Sequence, residues 1–446
     1  MIQSIRVDLP LELTAKLIPD EEYWQRASLA QWNICNVSKH GGSWKQLYFE
    51  NEVKRLIENF VPGKSSESEL TRTLAIAKDF VRILNLEQLF PAYHETYLAT
   101  DPKPDHMDTQ LIAKSLTRLE ELSLYYGVKN CGMDFSWNYY GLTLTDCQYL
   151  HNILKNSSNN KTLRKLTVRQ SDMDDLKAKM IAAGLVDNTV LVHLDLSHNK
   201  IGDAGCKALA RVLAKNTPLA TLLLSNNRIE QSGARAISDA LATNRKITHL
   251  DLSLNPLCDD GVAALLTTLA TANPTLQHLN LSSTWITQAI VPGLCDTVRK
   301  STGLRALDLS SNKFAENDGK VLIEALRENA ALERIDLRFN GLDTTQLNAI
   351  QYIYESRKSA ALIDQQQRQL VVVGGGGGAG GGVNDDDKGG LLNKDEKKVA
   401  AADQEVAEDG NDGNDGDGAE SSTLRLHQDS SFSRSGQFIT KDILAN

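Results

Sequence analysis

One sequence pattern recurs seven times across the middle of the chain and constrains its fold more than any other feature. Segments of the form LxxLxLxxNxL begin at residues 163, 191, 219, 247, 276, 304 and 332. The intervals between them are 28, 28, 28, 29, 28 and 28 residues. A fixed period of this length is typical of a solenoid, in which each repeat forms one coil that stacks on the next.

The chemistry of the pattern indicates a leucine-rich repeat. In the LxL part, both leucines point to one side of a short strand and the residue between them points to the other side. The asparagine that follows carries donors and acceptors that can reach backbone groups at the bend. This role falls to Asn199, Asn227, Asn255, Asn312 and Asn340, whereas Ser171 and Thr284 replace asparagine in two coils.

The remaining residues of each repeat have a helical pattern. In the coil after Asn199, we predict that Asp203 is the helix N-cap and that Asn216 adopts a left-handed conformation at the end. Pro292 interrupts the helical pattern of its coil. Because helices need more lateral room than strands, the stack is expected to curve. The predicted fold is an α/β leucine-rich-repeat solenoid, a horseshoe with a concave parallel sheet and convex helices.

The segments that flank the repeats divide the chain into three predicted regions. Residues 1–105 are predicted to be mainly helical, with helices over 43–63 and 67–90. Residues 106–360 are predicted to form the repeat domain. Residues 361–446, which are rich in glycine and aspartate, are predicted to be a flexible tail because they cannot bury a core.

The first coil opens at Leu119, but the next begins 44 residues later, so the first coil carries an insertion. Terminal repeats of a solenoid shield the exposed end of its core. The sequence therefore favours a cap built from apolar side chains of the insertion, with docking of a partner as the alternative. These side chains are Met133, Phe135, Trp137, Tyr139 and Tyr140.

Charge and cysteine usage exclude several classes of protein. The formal net charge is −9, and residues 383–420 alone account for −9, with nine Asp and four Glu against four Lys. The rest of the chain is therefore close to neutral and shows no basic stripe for nucleic acid. No apolar run is long enough to span a membrane, and the first residues lack the pattern of a secretory signal. The six scattered cysteines are typical of reduced thiols in a cytosolic compartment.

The sequence predicts no enzyme activity, no cofactor and no metal. No serine, cysteine, histidine or paired-carboxylate arrangement has the spacing of a catalytic site. His193, His249 and His278 occupy one column of the predicted concave face, beside Asp251. Two of them could share an ion with that aspartate, but a polar solenoid surface is the favoured interpretation.

The concave face is instead predicted to bind partner proteins. Tyrosine and arginine are frequent anchor residues at interfaces. The candidates are Tyr125, Tyr126 and Arg169 at one end, Arg334, Arg338 and Phe339 at the other, and Trp285 just past a bend.

Two segments outside the regular repeats carry a family resemblance. The stretch YYGVKNCGMDFSWN at 125–138 and the stretch SWKQLYFENEVKRLIENFVPG at 43–63 resemble the dynein regulatory complex subunit 5 family, also called T-complex-associated testis-expressed protein 1. The resemblance covers roughly residues 40–345. The glycine- and aspartate-rich tail does not belong to the family pattern.

The resemblance implies a non-enzymatic scaffold subunit of the nexin-dynein regulatory complex in the axoneme of cilia and flagella. Its implied partners are other subunits of that complex, with doublet microtubules and inner-arm dynein as further candidates, and neither nucleic acid nor a membrane. Two alternatives stay open at this point. A GTPase-activating protein of the nuclear transport type also combines such repeats with an acidic tail, and a ubiquitin-ligase substrate adaptor combines them with a helical N-terminal segment.

Overall fold

The structure is a computed structural model, and it describes residues 10–90, 106–128, 141–155, 161–329 and 331–374, with side chains as far as residue 359. The insertion residues predicted to form a cap, Met133 to Tyr140, lie outside the described residues. So does the predicted tail beyond residue 374.

A single parallel sheet runs through the described part of the chain, with nine strands in sequence order. Its strands are β1 (Ile83–Asn85), β2 (Glu121–Leu124), β3 (Lys165–Val168), β4 (His193–Asp195), β5 (Thr221–Leu223), β6 (His249–Asp251), β7 (His278–Asn280), β8 (Ala306–Asp308) and β9 (Arg334–Asp336). From β2 to β8, the central leucine of each strand pairs in register with the central leucine of the next. These leucines are buried, because they point into the space between the sheet and the helices.

Thirteen α-helices are described. Those before the sheet are α1 (Leu11–Leu17), α2 (Glu21–Gln31), α3 (Trp44–Glu58) and α4 (Glu67–Ala77). The others are α5 (Gln110–Ser115), α6 (Leu144–Leu154), α7 (Asp175–Leu185), α8 (Asp203–Ala214), α9 (Gln231–Thr243), α10 (Cys258–Thr271), α11 (Val291–Lys300), α12 (Asp318–Glu328) and α13 (Thr344–Gly374). From β3 onwards strand and helix alternate, so the predicted α/β leucine-rich-repeat solenoid is confirmed.

The predicted asparagine ladder is present. In a typical coil, the Asn227 side-chain amide donates to the carbonyl oxygens of Leu196 at 3.1 Å and Leu224 at 3.0 Å. Its oxygen accepts from the N–H of Ile201 at 3.0 Å. Where Thr284 replaces asparagine, its hydroxyl donates to the Leu281 carbonyl at 2.7 Å. Each asparagine therefore binds its own coil to the preceding one.

A second asparagine ladder, which the sequence analysis did not identify, lies at the ends of the helices. Asn244 donates to the Leu213 carbonyl at 2.6 Å and accepts from the N–H of Ile247 at 2.8 Å. Equivalent bonds are made by the buried residues Asn188, Asn273 and Asn329. Asn216 occupies the same position in its coil and has the predicted left-handed conformation, with φ of 52°.

The prediction that Asp203 is the N-cap of its own helix is wrong. The N-cap of α8 is Gly202. Asp203 instead accepts hydrogen bonds from the next coil, from the N–H of Glu230 at 2.8 Å and of Gly233 at 2.9 Å. The two helix starts lie so close that a Cβ on Gly233 would come within 2.6 Å of the Asp203 carboxylate. Capping in this array therefore operates between neighbouring helices.

The sheet begins before the predicted boundary at residues 105 and 106. The predicted helix over 67–90 ends at Ala77, and strand β1 pairs with β2 through Ile83 and Glu121. The division into a helical region and a repeat domain stays a prediction, but the first strand belongs to the helical side of it.

Helix α3 closes the outer edge of β1 with two buried glutamates. Glu50 accepts from the N–H groups of Arg82 at 2.9 Å and Ile83 at 2.8 Å. Glu58, two helical turns further on, accepts from the N–H of Glu87 at 2.7 Å. Buried backbone N–H groups without acceptors are costly. These carboxylates therefore supply acceptors at the outer edge of the first strand, where other strands have a neighbouring strand.

The C-terminal part of the array departs from the predictions at two places. Pro292 lies in the first turn of α11, where proline is tolerated, and a short 3-10 helix, Gln288–Ile290, precedes it. Helix α13 continues to Gly374, so residues 361–374 of the predicted flexible tail are helical.

Candidate interaction surface

The side chains of the strands that point away from the helices form a polar surface, which we call the strand face. Four aspartates of this face, Asp195, Asp251, Asp308 and Asp336, each accept a hydrogen bond from the backbone N–H two residues later, at 2.9–3.1 Å. These carboxylates stabilise the turn that follows each strand. They are therefore engaged within the protein rather than free to bind a ligand.

Two histidines stack on the strand face. The rings of His249 and His278 lie on adjacent strands with centroids 4.1 Å apart and an interplanar angle of 12°. Burial and the neighbouring His278 lower the pKa of His249. Asp251, predicted as a possible third ligand, accepts from the backbone and hydroxyl of Ser253. No group of three or more metal-binding side chains occurs among the residues that the structure describes.

At the N-terminal end of the strand face, the structure separates the three predicted partner-binding residues. Tyr125 is half-buried and Arg169 is exposed, with its Nε atom 2.6 Å from the Asp195 carboxylate. Tyr126 is completely buried, and burial raises its pKa well above the usual value. The prediction that Tyr126 lies on an accessible face is therefore wrong, because its side chain points into the core from the strand end.

At the C-terminal end, all three predicted residues are exposed. The Arg338 guanidinium binds the Asp336 carboxylate through Nε at 2.9 Å and through a second nitrogen at 2.6 Å. This pairing lowers the pKa of Asp336. Arg334 lies further from the same carboxylate, at 3.8 Å. Phe339 makes the largest apolar contribution to the surface here, with 79% of its area exposed.

Phe339 belongs to a column of residues with left-handed backbone conformation, one at the turn after each strand from β3 onwards. The column consists of Gln170, His198, Asn226, Leu254, Ser283, Ser311 and Phe339, with φ between 47° and 59°. Backbone hydrogen bonds of 2.9–3.0 Å join these turns from coil to coil, from Leu254 to Ser282, from Ser283 to Ser310 and from Ser311 to Arg338. The last four members therefore follow one another along one edge of the array.

Three exposed apolar side chains occur at these turns, and we call them the rim: Leu254 and Phe339, which belong to the column, and Trp285, which follows two residues after Ser283. Trp285 is 64% exposed and also has a left-handed backbone, with φ of 64°. Leu254 is 48% exposed. The rim spans four consecutive coils, from the coil of β6 to that of β9.

The rim residues are unfavourable for stability on two counts. A left-handed conformation costs a residue with a bulky side chain roughly 1–2 kcal/mol. Their apolar surfaces also remain in water, and aromatic side chains with this exposure are typical of binding sites. Asn226 shows what the fold itself favours at the position of Leu254 and Phe339, because asparagine tolerates this conformation and is polar. The rim is therefore the best candidate for a contact surface.

Sequence reasoning named two rim residues and missed the third. Leu254 follows the strand in the segment LDLSLNPL, at a position where most other coils have a polar residue. An apolar residue at a turn position that points to solvent was the available signal.

The described residues contain no helix long and apolar enough to cross a membrane. A shallow depression of about 230 Å³ lies on the strand face around His278 and Asp308. Its walls are the stacked histidines and the turn-stabilising aspartates, and it contains no arrangement of acid, base and nucleophile. Leu223, Ala306 and leucines of the strands also line it, so it is a contact surface of mixed polar and apolar character.

Comparisons with known proteins agree with the repeat assignment. A family model described as Leucine Rich repeat matches residues 187–210, 243–266 and 272–291. Among solved structures, the tropomodulin C-terminal domain of Caenorhabditis elegans is 15% identical and covers 37% of this chain and 98% of its own, with a TM-score of 0.32. An internalin of Listeria monocytogenes is 21% identical and covers 64% of this chain and 68% of its own, with a TM-score of 0.35.

Curated relatives have one name in common. The proteins of Mus musculus and Homo sapiens called dynein regulatory complex subunit 5 are 36% and 34% identical over 213 residues, which is 45% of this chain and 42% of each relative. The protein of that name from Chlamydomonas reinhardtii is 34% identical over 181 residues, 40% of this chain and 42% of its own length. The match thus spans less than half the length of these relatives. The chain is therefore similar, over that shared segment, to proteins named dynein regulatory complex subunit 5, and three of its segments match the leucine-rich-repeat model.

Proposed function

We propose that this protein is a non-enzymatic scaffold subunit of the nexin-dynein regulatory complex in the axoneme of motile cilia and flagella. The homology to proteins named as subunits of the dynein regulatory complex supports a role in that complex. In this role the protein helps to link outer doublet microtubules and to regulate inner-arm dynein. Its direct partners are other subunits of the complex.

The rim is the observation that carries the scaffold role. The strands behind it are joined in register, and Asn312 and Asn340 bind the coils of β7, β8 and β9 to one another. Between the coils of β6 and β7, where threonine and serine replace the asparagines, the Thr297 hydroxyl donates to the Leu266 carbonyl at 3.0 Å. Such a support holds Leu254, Trp285 and Phe339 at fixed separations without further loss of backbone freedom on binding. A partner with apolar side chains at matching separations gains the burial of all three.

Charged residues beside the rim supply orientation. Arg338 precedes Phe339 directly and is held by Asp336, while Arg334 projects from the same strand into solvent. At the other end of the strand face, Arg169 is exposed beside Asp195. Exposed charges at the edge of a contact surface steer association and set its register more than its strength.

The proposal is tested by replacing the rim. A triple variant, Leu254→Asn, Trp285→Ser and Phe339→Asn, is expressed in ciliated cells that lack the native protein. The expected result is loss of the variant from detergent-stripped axonemes, together with impaired beating. Wild-type protein is expected to remain in the microtubule pellet through a salt wash and to fractionate with other subunits of the complex.

A matched control removes a different exposed aromatic residue, Tyr352→Ser on α13, where 71% of the side chain is exposed. This variant, and a chain truncated after residue 374, are both expected to remain in the detergent-stripped axonemes. Complete release of the wild-type protein into the soluble fraction, or full retention of the triple variant, would contradict the proposed function.

A further inference from the structure

The last strand of the sheet has an open edge. Among the described residues, no strand follows β9. The N–H of Arg334 donates to the Arg305 carbonyl at 3.0 Å, and the carbonyl of Asp336 accepts from the N–H of Leu309 at 2.8 Å, so both residues face β8. Because backbone groups alternate in direction along a strand, the N–H and C=O of Ile335 point to the open side.

The two edges of the sheet are not equivalent. At the first edge, the N–H groups of Arg82 and Ile83 are already bound by Glu50, and helix α3 lies over the strand. A second copy of the chain therefore cannot add its β9 to β1 in a head-to-tail manner. The remaining way for two copies to join their sheets is through the same edge of each, around a two-fold axis.

A groove accompanies the open edge. It has a volume of about 550 Å³ and lies between β9 and the first part of α13. Its apolar lining includes Ile335, Leu347 and Tyr354. The Tyr354 hydroxyl is buried without a hydrogen-bond partner. A buried hydroxyl in this state is unfavourable unless something else provides an acceptor or donor.

The charges along the edge are self-complementary. Strand β9 reads Arg-Ile-Asp, with the isoleucine at its centre and opposite charges at equal distances on either side. On the helix side of the groove, Glu355 and Lys358 are exposed one turn apart. In each of these two pairs, opposite charges face each other across two copies only if the second copy runs antiparallel to the first.

We propose that two copies of this protein associate through antiparallel pairing of β9 around a two-fold axis at Ile335. In this register the two Ile335 residues exchange two backbone hydrogen bonds. Arg334, which is exposed, lies opposite the partner's Asp336, and each Asp336 keeps the bonds to Arg338 of its own chain, so Arg334 adds a second cation to an aspartate that is already paired. The two copies of α13 run antiparallel, which brings Glu355 near the partner's Lys358.

This pairing produces a closed dimer rather than a filament, because it uses up the open edge of each copy and the other edge is covered by α3. The same sequence also admits a different role for the charges. Arg334 and Asp336 on a strand of three residues can serve to keep an edge unpaired. The two roles differ in the oligomeric state that they predict.

The first experiment measures the mass of the full chain by sedimentation over a range of micromolar concentrations. The proposal predicts a species of twice the 49.0 kDa chain mass. Arg334→Glu places two like charges across the axis and is expected to weaken self-association at least tenfold, whereas Arg334→Lys is expected to preserve it. Arg164→Glu makes the same charge change on an exposed residue just before β3, far from β9 in the strand order, and serves as the control.

The second experiment locates the contact. Residues that form a hydrogen-bonded antiparallel pair have Cα atoms about 5.5 Å apart, which lies within the range for a disulfide. Ile335→Cys is therefore expected to give a covalent dimer under mild oxidation. Thr221→Cys, in the middle of the sheet on β5, and the wild-type chain with its native cysteines are expected to give none.

Either experiment can overturn the proposal. A monomeric wild-type chain at all concentrations would show that the charges keep the edge unpaired. A dimer that Arg334→Glu leaves intact, or that forms a disulfide equally well at positions 221 and 335, would place the interface elsewhere.

Discussion

The carboxylate of Glu50 accepts a hydrogen bond of 2.8 Å from the backbone N–H of Ile83, so a helix side chain completes the outer edge of the first strand. The same carboxylate accepts from the N–H of Arg82 and from the amide of Gln46. A glutamate buried to this degree is normally unfavourable unless its hydrogen bonds are complete. Here they are, because His40 Nδ1 lies 2.5 Å from the second carboxylate oxygen, and together these bonds join α3 to the sheet.

Replacing Glu50 is therefore expected to loosen the N-terminal end of the solenoid. Glu50→Ala leaves two buried N–H groups without acceptors, and each costs about 1–3 kcal/mol. The expected result is faster amide hydrogen exchange at Arg82, Ile83 and Leu84, with little change in the coils from β5 onwards. Glu22→Ala, which removes an exposed glutamate of α2, is the control. Uniform loss of protection along the whole array after Glu50→Ala would contradict a local role.

Asn227 provides a test of the first asparagine ladder. Asn227→Ala removes the donor to the Leu196 and Leu224 carbonyls and the acceptor for the Ile201 N–H. Unfolding by urea is expected to show a loss of about 2–3 kcal/mol in the free energy of unfolding. Lys207→Ala on the exposed face of α8 should change it by less than about 0.5 kcal/mol. Equal effects of the two substitutions would mean that the ladder adds nothing to stability.

The stacked histidines predict a decrease in stability on mild acidification. Burial and the adjacent His278 lower the pKa of His249 in the folded protein, and burial with the nearby Lys165 lowers that of His193. Protonation then favours the unfolded chain, where histidine titrates near about 6.5. The stabilising contribution is complete above that pH and is lost as the pH falls toward the folded pKa.

The measurement is the midpoint of thermal unfolding at neutral pH and at mildly acidic pH. His249→Asn is expected to reduce, but not abolish, the decrease, because His193 still contributes. His198→Asn, a histidine outside the stacked pair, controls for the loss of a histidine as such. An unchanged pH response in His249→Asn would exclude the pair as a source of it.

Phe339 is predicted to lower the free energy of unfolding while it contributes to partner binding. Phe339→Asn replaces an exposed aromatic residue in a left-handed conformation with one that tolerates that conformation. The free energy of unfolding is expected to rise by about 0.5–1 kcal/mol, and incorporation into axonemes is expected to fall. Tyr352→Asn removes another highly exposed aromatic residue, from helix α13. It should not stabilise the protein, because asparagine is no better a helix former than tyrosine. A less stable Phe339→Asn variant would show that the side chain packs within the protein.

The periodic part of the fold could be predicted because one pattern specifies several features together. The LxL spacing sets which side chains are buried, and the 28-residue interval sets which coil each strand pairs with. The first ladder followed from the chemistry of asparagine at a bend. Trp285 and Phe339 were found because large aromatic residues occur where the pattern points to solvent.

The features that were missed depend on contacts between elements. The segment around Ile83 has apolar spacing compatible with either a helix or a strand, and its pairing with β2 decides the outcome. Asp203 resembles an N-cap in sequence, but the closeness of the next helix makes its carboxylate bind across the gap. Tyr126 follows a strand like an exposed residue, yet the first coil turns it inward. None of these can be read from local periodicity.

The asparagine bonds between coils have a consequence for how such a protein can change its length. The Asn227 side chain bonds to the carbonyl of Leu196 and the N–H of Ile201 in the preceding coil, and that of Asn244 bonds to the carbonyl of Leu213 one coil back. After deletion of a whole coil from the sequence, each asparagine would meet an equivalent carbonyl in its new neighbour. After deletion of part of a coil, the asparagines of both ladders would no longer face those carbonyls. The separation between two surface residues such as Trp285 and Phe339 can therefore change only in whole steps of about 4.8 Å. A partner that contacts two such residues at once therefore fits only arrays in which they are separated by a particular whole number of coils.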